Sequence, residues 1–480
     1  MKSVAFHNLG CKVNSYELDV MQQRLLERGY EIVPFSQKAD IYIINTCTVT
    51  NMADRKSRQM LHRAKQKNPR AVVVAVGCYV QTDLAGAVED GSIDLCIGNN
   101  RKKDLVQILE EYLRLSAAES QGEEQGEPAG QGAAGRKTLY GKTVIDIDNT
   151  YEYEEMSLKK TADHTRAYIK IQDGCNQFCS YCAIPLARGR VRSRRAEDII
   201  AEIQDMTAAG YREVVLTGIH ISSYGIDFEE ASWGEGRSVR ALQTSERLDY
   251  SGRSKLLELV ERIHEIPGLE RIRLGSLEPR IVTPEAVGRL AALPKLCPHF
   301  HLSLQSGCDT VLQRMNRHYT TGQYGESLQA LRAAFACPAI TTDVIVGFPG
   351  ETQEEFETTR AFLEQAGFYE MHIFKYSQRA GTHAAKMPGQ VPEQIKTVRS
   401  NELLKLERTQ SEAFRRKLLG RETEVLWEED KVLSGSRYHI GHTREYVKAA
   451  LPGELPVKQG EISRVKLKEF LTEEILLAEK

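Results

Sequence analysis

The sequence predicts an α/β protein in three parts: an N-terminal parallel α/β domain, a six-unit partial (β/α) barrel and a small C-terminal β-barrel. Three observations predict it. Short apolar runs alternate with amphipathic stretches over the first ~112 residues, and six longer strand-and-helix units follow. After a helical stretch at Pro392–Leu418 the pattern changes to short strands separated by Gly and Pro. The length of 480 residues agrees, since about 150 residues per domain suggests about three domains.

Residues 1–112 carry the strand-like runs VAFHNL, IYIINT and AVVVAVG, with helix-like Asn14–Arg28 and Met52–Lys67 between them. Cys11, Cys47 and Cys78 each stand just after one of these runs, 36 and 31 residues apart, about one crossover unit. Parallel strands deliver all three following loops to the same sheet edge, where the thiols can converge. Residues 113–160 read as a linker. From Ser116 to Thr138 there is no Ile, Leu, Val, Phe, Tyr, Trp or Met to offset ordering entropy.

Residues 161–395 hold six strand candidates: Arg166–Ile171, Glu213–Gly218, Arg271–Ser276, His301–Ser306, Thr341–Gly347 and Met371–Ser377. Helix-like stretches such as Ala196–Ala209, Lys255–Ile266 and Gln353–Gln365 separate them. Six units favour a partial barrel over a closed eight-unit one, with chemistry at the C-terminal strand ends. The polar stretch 227–253 reads as an insertion. Residues 396–417 read as a connecting helix, and 418–480 as a β-barrel from strands at Glu422–Trp427, Tyr446–Leu451, Ile462–Phe470 and Glu474–Ala478.

Composition narrows the function classes. Sixty-four basic against 66 acidic residues give a formal net charge of −2, which excludes a uniformly basic nucleic-acid binder but not a local basic surface. The longest apolar run, Ala71–Val76, is far short of the ~18–20 residues that span a bilayer, and no secretory leader is evident. A cytoplasmic protein with no membrane partner is expected. Ten cysteines then point to metal ligation or burial rather than disulfides. Cys96, Cys297, Cys308 and Cys337 share no spacing and read as structural.

The strongest local signal is DGCNQFCSYC, which places Cys175, Cys179 and Cys182 as CxxxCxxC directly after the first strand of the six-unit region. Three thiolates on a tight loop hold three irons of a [4Fe–4S] cluster and leave the fourth open; structural zinc wants a fourth protein ligand. With Tyr181 before the third Cys, at the head of six βα units, this resembles the radical S-adenosylmethionine (SAM) superfamily. The resemblance implies that the open iron chelates SAM and that electron transfer yields a 5′-deoxyadenosyl radical. It also makes Tyr181, Gly218, Ser276, Glu278 and Gln305, at or near strand ends, candidate SAM contacts. Tight βα turns are the competing explanation at the glycines, including those of GFPGET (Gly347–Thr352).

LGCKVN around Cys11, NTCTVTN around Cys47 and VGCY around Cys78 resemble the N-terminal domain of the methylthiotransferases, radical enzymes with a second, auxiliary [4Fe–4S] cluster. YSQRAGT (Tyr376–Thr382) fits the family, with Ala380 where Pro is common. The last part resembles a TRAM module. LGCKVN looks most like the branch acting on threonylcarbamoyladenosine in tRNA; the isopentenyladenosine branch has a YGCQMN-like motif and the ribosomal-protein aspartate branch LGCPKN.

Two basic runs qualify the near-neutral total. Arg55–Arg70 holds seven Lys/Arg and no acidic residue; Arg188, Arg190, Arg192, Arg194 and Arg195 follow the CxxxCxxC loop. Solvated faces are the ordinary explanation of such runs, but beside cluster loops they are candidate phosphate contacts for RNA. The resemblance implies methylthiolation of carbon 2 of N6-threonylcarbamoyladenosine next to the anticodon, with two [4Fe–4S] clusters, SAM and an electron donor such as a flavodoxin or ferredoxin. The other branches are alternatives. So are an auxiliary cluster serving only as an electron relay, and a non-catalytic RNA-binding protein stabilised by metal.

Overall fold

The computed structural model describes residues 2–124, 142–159, 165–228 and 254–480. Five parallel strands build the N-terminal sheet: β1 (Ser3–Asn8), β2 (Glu31–Val33), β3 (Ile41–Thr46), β4 (Val72–Gly77) and β5 (Leu95–Ile97), in the order β2-β1-β3-β4-β5. β3 is buried along its whole length and β4 nearly so, which is why both read as continuous apolar runs instead of alternating ones. The helices Lys12–Glu27 and Asn51–Lys67 cover opposite faces: Tyr16, Met21 and Leu25 pack with Ile43 and Val74, whereas Leu61 and Ala64 pack with Ile44 and Val73. β2, the edge strand EIV, is too short to give a sequence signal.

The expected linker is corrected at both ends. The helix Leu105–Glu124 runs on through Ser116, and residues 142–159 pack back onto the protein, with Met156 and Leu158 in the main core. Tyr153 Oη donates to the Lys170 carbonyl at 2.9 Å. The return segment bridges the two domains: Val144 packs on the N-terminal core, and the Met156 carbonyl accepts from Tyr16 Oη at 2.5 Å. Residues 125–141 and 229–253 lie outside the described residues, and with them most of the linker and the insertion.

In the second domain β6 (Ala167–Lys170) leads to a short antiparallel pair, β7 (Gln172–Asp173) and β8 (Arg192–Ser193). Then follow β9 (Glu213–Thr217), β10 (Arg271–Leu274), β11 (His299–His301), β12 (Ala339–Val346) and β13 (Glu370–Lys375). Two parallel three-stranded sheets, β10-β9-β6 and β11-β12-β13, are joined by single bridges Ile272–Leu296 and Leu277–Leu302. The fourth strand thus ends earlier than the expected His301–Ser306. Beyond His301 the pairing is reduced to single bridges, Leu277–Leu302 and Gln305–Val344, with Gln305 in the left-handed region at φ 72°.

Strand alternation sorts this domain's side chains. Ile169, Val214, Leu216, Ile272, Leu274 and Val344 join the core beneath the helices. Their neighbours Tyr168, Lys170, Glu213, Arg271, Arg273, His301 and Asp343 therefore face the barrel lumen.

β6 and β13 do not pair, so the barrel is open along one side. The N-terminal domain fills that side. Its first helix packs on β6, and beyond β13 the Asn51 amide donates to Ser377 Oγ at 3.0 Å. Arg379 donates to Thr48 Oγ1 and Asn51 Oδ1, both at 2.6 Å.

The helix Glu393–Arg416 leads into a closed barrel of β14 (Glu422–Leu433), β15 (Ser436–Thr443), β16 (Lys448–Pro452), β17 (Ile462–Phe470) and β18 (Ile475–Glu479). β15, SRYHIGHT, is the strand that polar composition hid. The turn after it carries Tyr446 to the N-terminal end of the lumen, where the guanidinium carbons of Arg166 and Arg273 each lie 4.8 Å from its ring centroid.

Candidate active site

Cys175, Cys179 and Cys182 occupy the loop between β7 and the short helix Ile184–Arg188. Gly174 enters it at φ 69°, and a Cβ there would lie 1.8 Å from the Arg190 carbonyl oxygen, so only glycine fits. The loop is held by Cys175 N–H to Gly189 O (3.0 Å), Cys182 N–H to Cys179 O (3.0 Å) and Ser180 N–H to Met315 O (3.0 Å). Burial and the neighbouring Cys179 push the Cys182 thiol up to about 12; burial pushes Cys175 up as well. Arg317 Nη1 lies 3.2 Å from Cys179 Sγ, a half-buried cation placed to favour the charged form of that thiol.

The second triplet gathers at the C-terminal ends of β1, β3 and β4. Cys11 precedes the helix Lys12–Glu27, and Cys78 opens the short helix Cys78–Thr82. A Cβ on Gly10 would lie 3.2 Å from Cys47 Sγ, which measures how closely the Cys11 and Cys47 loops approach. Asn14 ties them, donating to Leu9 O at 2.7 Å and Thr46 O at 3.0 Å; Asn99 Nδ2 reaches Cys78 Sγ at 3.5 Å. Burial, with Cys78 and Cys11 nearby, pushes Cys47 up to about 11, and burial raises Cys11. Among the described residues the three-ligand group drawn within 4.8 Å is His301, Asp343 and His372 in the lumen; neither thiol triplet is that tight. That spacing suits the separated ligands of an iron–sulfur cube better than one ion.

Arg188 joins the two triplets. Its guanidinium reaches Asn14 Oδ1 (2.6 Å) and Glu17 (2.9 Å) beyond Cys11, and Asp173 (3.0 Å) just before Cys175. Its charge also acts on Cys11, Cys47 and Cys78. Lys102 and Lys170 complete the frame around Glu17, the latter at 2.7 Å. Burial alone would raise Glu17, but Arg188, Lys102 and Lys170 outweigh it and hold the carboxyl well below its usual range.

This corrects the expectation of an arginine surface for RNA. Arg188, Arg192 and Arg194 are at most 1% exposed. Arg194 is paired with Glu155 and Glu202, and Arg192 donates to the Arg188 carbonyl at 2.9 Å. Arg190 is half-buried over the Phe178 ring, and Arg195 alone of the five is exposed. The run is a structural lattice because folding buries it against acidic partners: Glu17, 171 residues away, and Asp173 for Arg188, and Glu155 and Glu202 for Arg194. By contrast Arg55, Lys56, Arg58, Arg63 and Arg70 are exposed along and just beyond the helix after Cys47, near exposed Val49 and Met52.

Residues 169–363 match the Radical SAM superfamily, and residues 3–98 match uncharacterized protein family UPF0004. The chain is 37% identical to a threonylcarbamoyladenosine tRNA methylthiotransferase of Bacillus subtilis, across 97% of this chain and 94% of that one. It is 36% identical to a tRNA-2-methylthio-N(6)-dimethylallyladenosine synthase of Opitutus terrae, across 92% and 90%. The chain belongs to the tRNA methylthiotransferase family of radical SAM enzymes. Among solved structures, the radical SAM methyltransferase TsrM of Kitasatospora setae shares the fold at TM-score 0.50 and 16% identity, covering 78% of this chain and 72% of that one.

Methylthiotransferase membership brings SAM and [4Fe–4S] clusters as cofactors. Of the candidate SAM contacts, Tyr181 is half-buried beside the CxxxCxxC thiols, edge-on to Phe348 at 6.5 Å. Glu278 is buried, 3.6 Å from His220 and paired with Arg280; Ser276 is exposed. Burial pulls His220 down to about 4, so its ring is neutral at pH 7. Gln305 is buried at the end of the fourth unit. A Cβ on Gly218 would meet Gln172 O at 3.0 Å, so that glycine is already demanded by the fold. Asn14 and Arg379, which fasten the thiol loops, lie within LGCKVN and YSQRAGT but were not singled out there. Arg317 and Asn99 lie outside the quoted motifs, and three-dimensional proximity alone identifies them.

Proposed function

We propose that this enzyme adds a methylthio group to carbon 2 of N6-threonylcarbamoyladenosine next to the anticodon of tRNA. The observation that carries the reading is the joining of two three-thiol loops, through Arg188, beside a single polar lumen. In it, Cys175, Cys179 and Cys182 hold the cluster that binds SAM, while Cys11, Cys47 and Cys78 hold the cluster that delivers sulfur. When bound, these groups supply the radical that removes the ring hydrogen, the sulfur and the methyl group. The chain's own residues fasten the thiol loops, exclude bulk water from the lumen with Tyr446, and admit the base.

Tyr181, Gly218, Ser276, Glu278 and Gln305 are the SAM-side positions in this reading. Phosphates dock on the exposed face at Arg55, Lys56, Arg58 and Arg63, with Arg195 a further contact. The terminal barrel acts as a TRAM module. A flavodoxin or ferredoxin supplies electrons in the cytoplasm; among the described residues no helix is long and apolar enough to cross a membrane.

The test is mass spectrometry of tRNA nucleosides from cells with and without the protein. Selective loss of methylthio-threonylcarbamoyladenosine is the expected result. Loss of the isopentenyl analogue, or an unmethylthiolated ribosomal protein with unchanged tRNA, would move the enzyme to another branch. Reductive SAM cleavage without any methylthio product would leave the auxiliary cluster as a relay, and zinc-loaded protein without cleavage would favour a non-catalytic RNA binder.

A further inference from the structure

Three neighbouring strands of the lumen wall, β11, β12 and β13, each present a metal-ligating side chain on the same face. Asp343 of β12 is the register partner of His372 of β13, and His301 of β11 is the register partner of Thr341, two residues before Asp343. Residues two apart on a strand share a face, so the three side chains meet on the lumen side of the sheet. One ligand atom from each lies within 4.8 Å of the others. His301 Nε2 is 3.2 Å from Asp343 Oδ2, and the His301 and His372 rings stack with centroids 5.7 Å apart. None of the six thiols belongs to this group.

We propose that His301, Asp343 and His372 bind one divalent transition-metal ion in the lumen, distinct from both clusters. An ion about 2.1 Å from His301 Nε2 and Asp343 Oδ2 would see them at an angle of about 100°, between octahedral and tetrahedral values. Two ligands of one ion lie at most about 4.2 Å apart, so His372, which is exposed, completes the set by a shift of about half an ångström. His301 Nδ1 lies 2.9 Å from Thr341 Oγ1; with a proton held there, Nε2 keeps its lone pair for the ion. The ion takes the place of the proton that otherwise bridges Nε2 and Oδ2, which moves to Nδ1 or to water. Charge agrees. Glu213 and Glu428 are taken by Arg273 and Arg166, whereas among the described residues no Lys or Arg pairs with Asp343. Two imidazoles and a carboxylate suit first-row ions such as Zn²⁺, Mn²⁺ and Fe²⁺. Coming from one sheet, they cover one side of the ion and leave the other to water or a substrate oxygen. The site does not depend on which base the enzyme modifies.

The experiment titrates Mn²⁺ into the reconstituted full-length enzyme, anaerobically and without tRNA, and follows the EPR signal of the free ion over the EPR-silent oxidised clusters. Mn²⁺ is the probe because it prefers nitrogen and oxygen donors to thiolates. The wild type should bind about one Mn²⁺ per chain, and Zn²⁺ should displace it at lower concentration than Mg²⁺ does. Asp343→Asn and His372→Ala should each weaken that binding by about tenfold or more, with iron content unchanged. His372 is exposed, so its replacement tests the site even where Asp343→Asn fails to fold. A wild type that binds no Mn²⁺ up to millimolar concentration overturns the inference. So do variants that bind it as the wild type does, or Mg²⁺ that displaces it as readily as Zn²⁺. The titration involves no tRNA, so its failure leaves the substrate reading standing.

Discussion

At the scale of single residues, the proposed function gives each thiol triplet its own part of the chemistry, and Arg188 reaches partners beside both. Replacing Cys11, Cys47 and Cys78 with Ala should lower reconstituted iron from about eight to about four per chain. Reductive SAM cleavage should persist and methylthio product should vanish. The complementary replacement of Cys175, Cys179 and Cys182 should abolish cleavage; iron assay with product chromatography distinguishes the two sets. Arg188→Met should destabilise the fold by about 3 kcal/mol, because Glu17 and Asp173 lose a buried partner and retain only their lysines and Arg192. Equilibrium denaturation measures that loss. The salt dependence of tRNA binding should stay unchanged, since Arg188 has no surface to offer. Cys175, Cys179 and Cys182 stood out through their spacing on one short loop, and Cys11, Cys47 and Cys78 through their repeated place after a strand. The meaning of the arginines was not legible, because burial and the pairing of Arg188 with Glu17, 171 residues away, arise only on folding.

At the scale of elements, the helix Asn51–Lys67 carries two functions on two faces. Leu61 and Ala64 bury one face against β3 and β4, and Thr50 caps the start through the Ala53 amide at 3.1 Å. The other face keeps Arg55, Lys56, Arg58 and Arg63 in water. Reversing Arg55 and Lys56 to Glu should weaken tRNA binding uniformly across tRNA sequences. The log–log salt slope should fall by about 0.9 for each phosphate no longer neutralised. Filter binding across a salt series checks this, with circular dichroism showing the helix intact. The short elements behaved differently: β2 and β15 escaped the sequence because one is too brief for a period and the other too polar. His301–Ser306 reads as a strand in the sequence, but after His301 its pairing with β12 is reduced to a single bridge at Gln305, which sits at φ 72°.

At the scale of the whole molecule, the lumen exists only because three parts close it: the six strands form the wall, the N-terminal domain fills the open side, and Tyr446 plugs the end. Arg273 and Arg271 also donate to carbonyls of the C-terminal barrel, at 3.0 and 3.2 Å, while pairing with Glu213. Burial alone would raise Glu213, but Arg273, with Arg166 and Arg271, holds it down to about 2. Because that folded value lies below the unfolded value near 4.5, the pair's stabilisation is complete above about 4.5 and is lost as pH falls toward about 2. Thermal melts should therefore shift down across that window in the wild type, and less steeply in Glu213→Gln, which begins less stable at neutral pH. By itself the sequence determined the order of the parts and the family, because strand periodicity and short motifs are local properties. Only the tertiary structure decided that the arginine run is a buried frame. Charge pairing is a matter of three-dimensional neighbours: Arg188 meets Glu17, 171 residues away in the sequence, only when the chain folds.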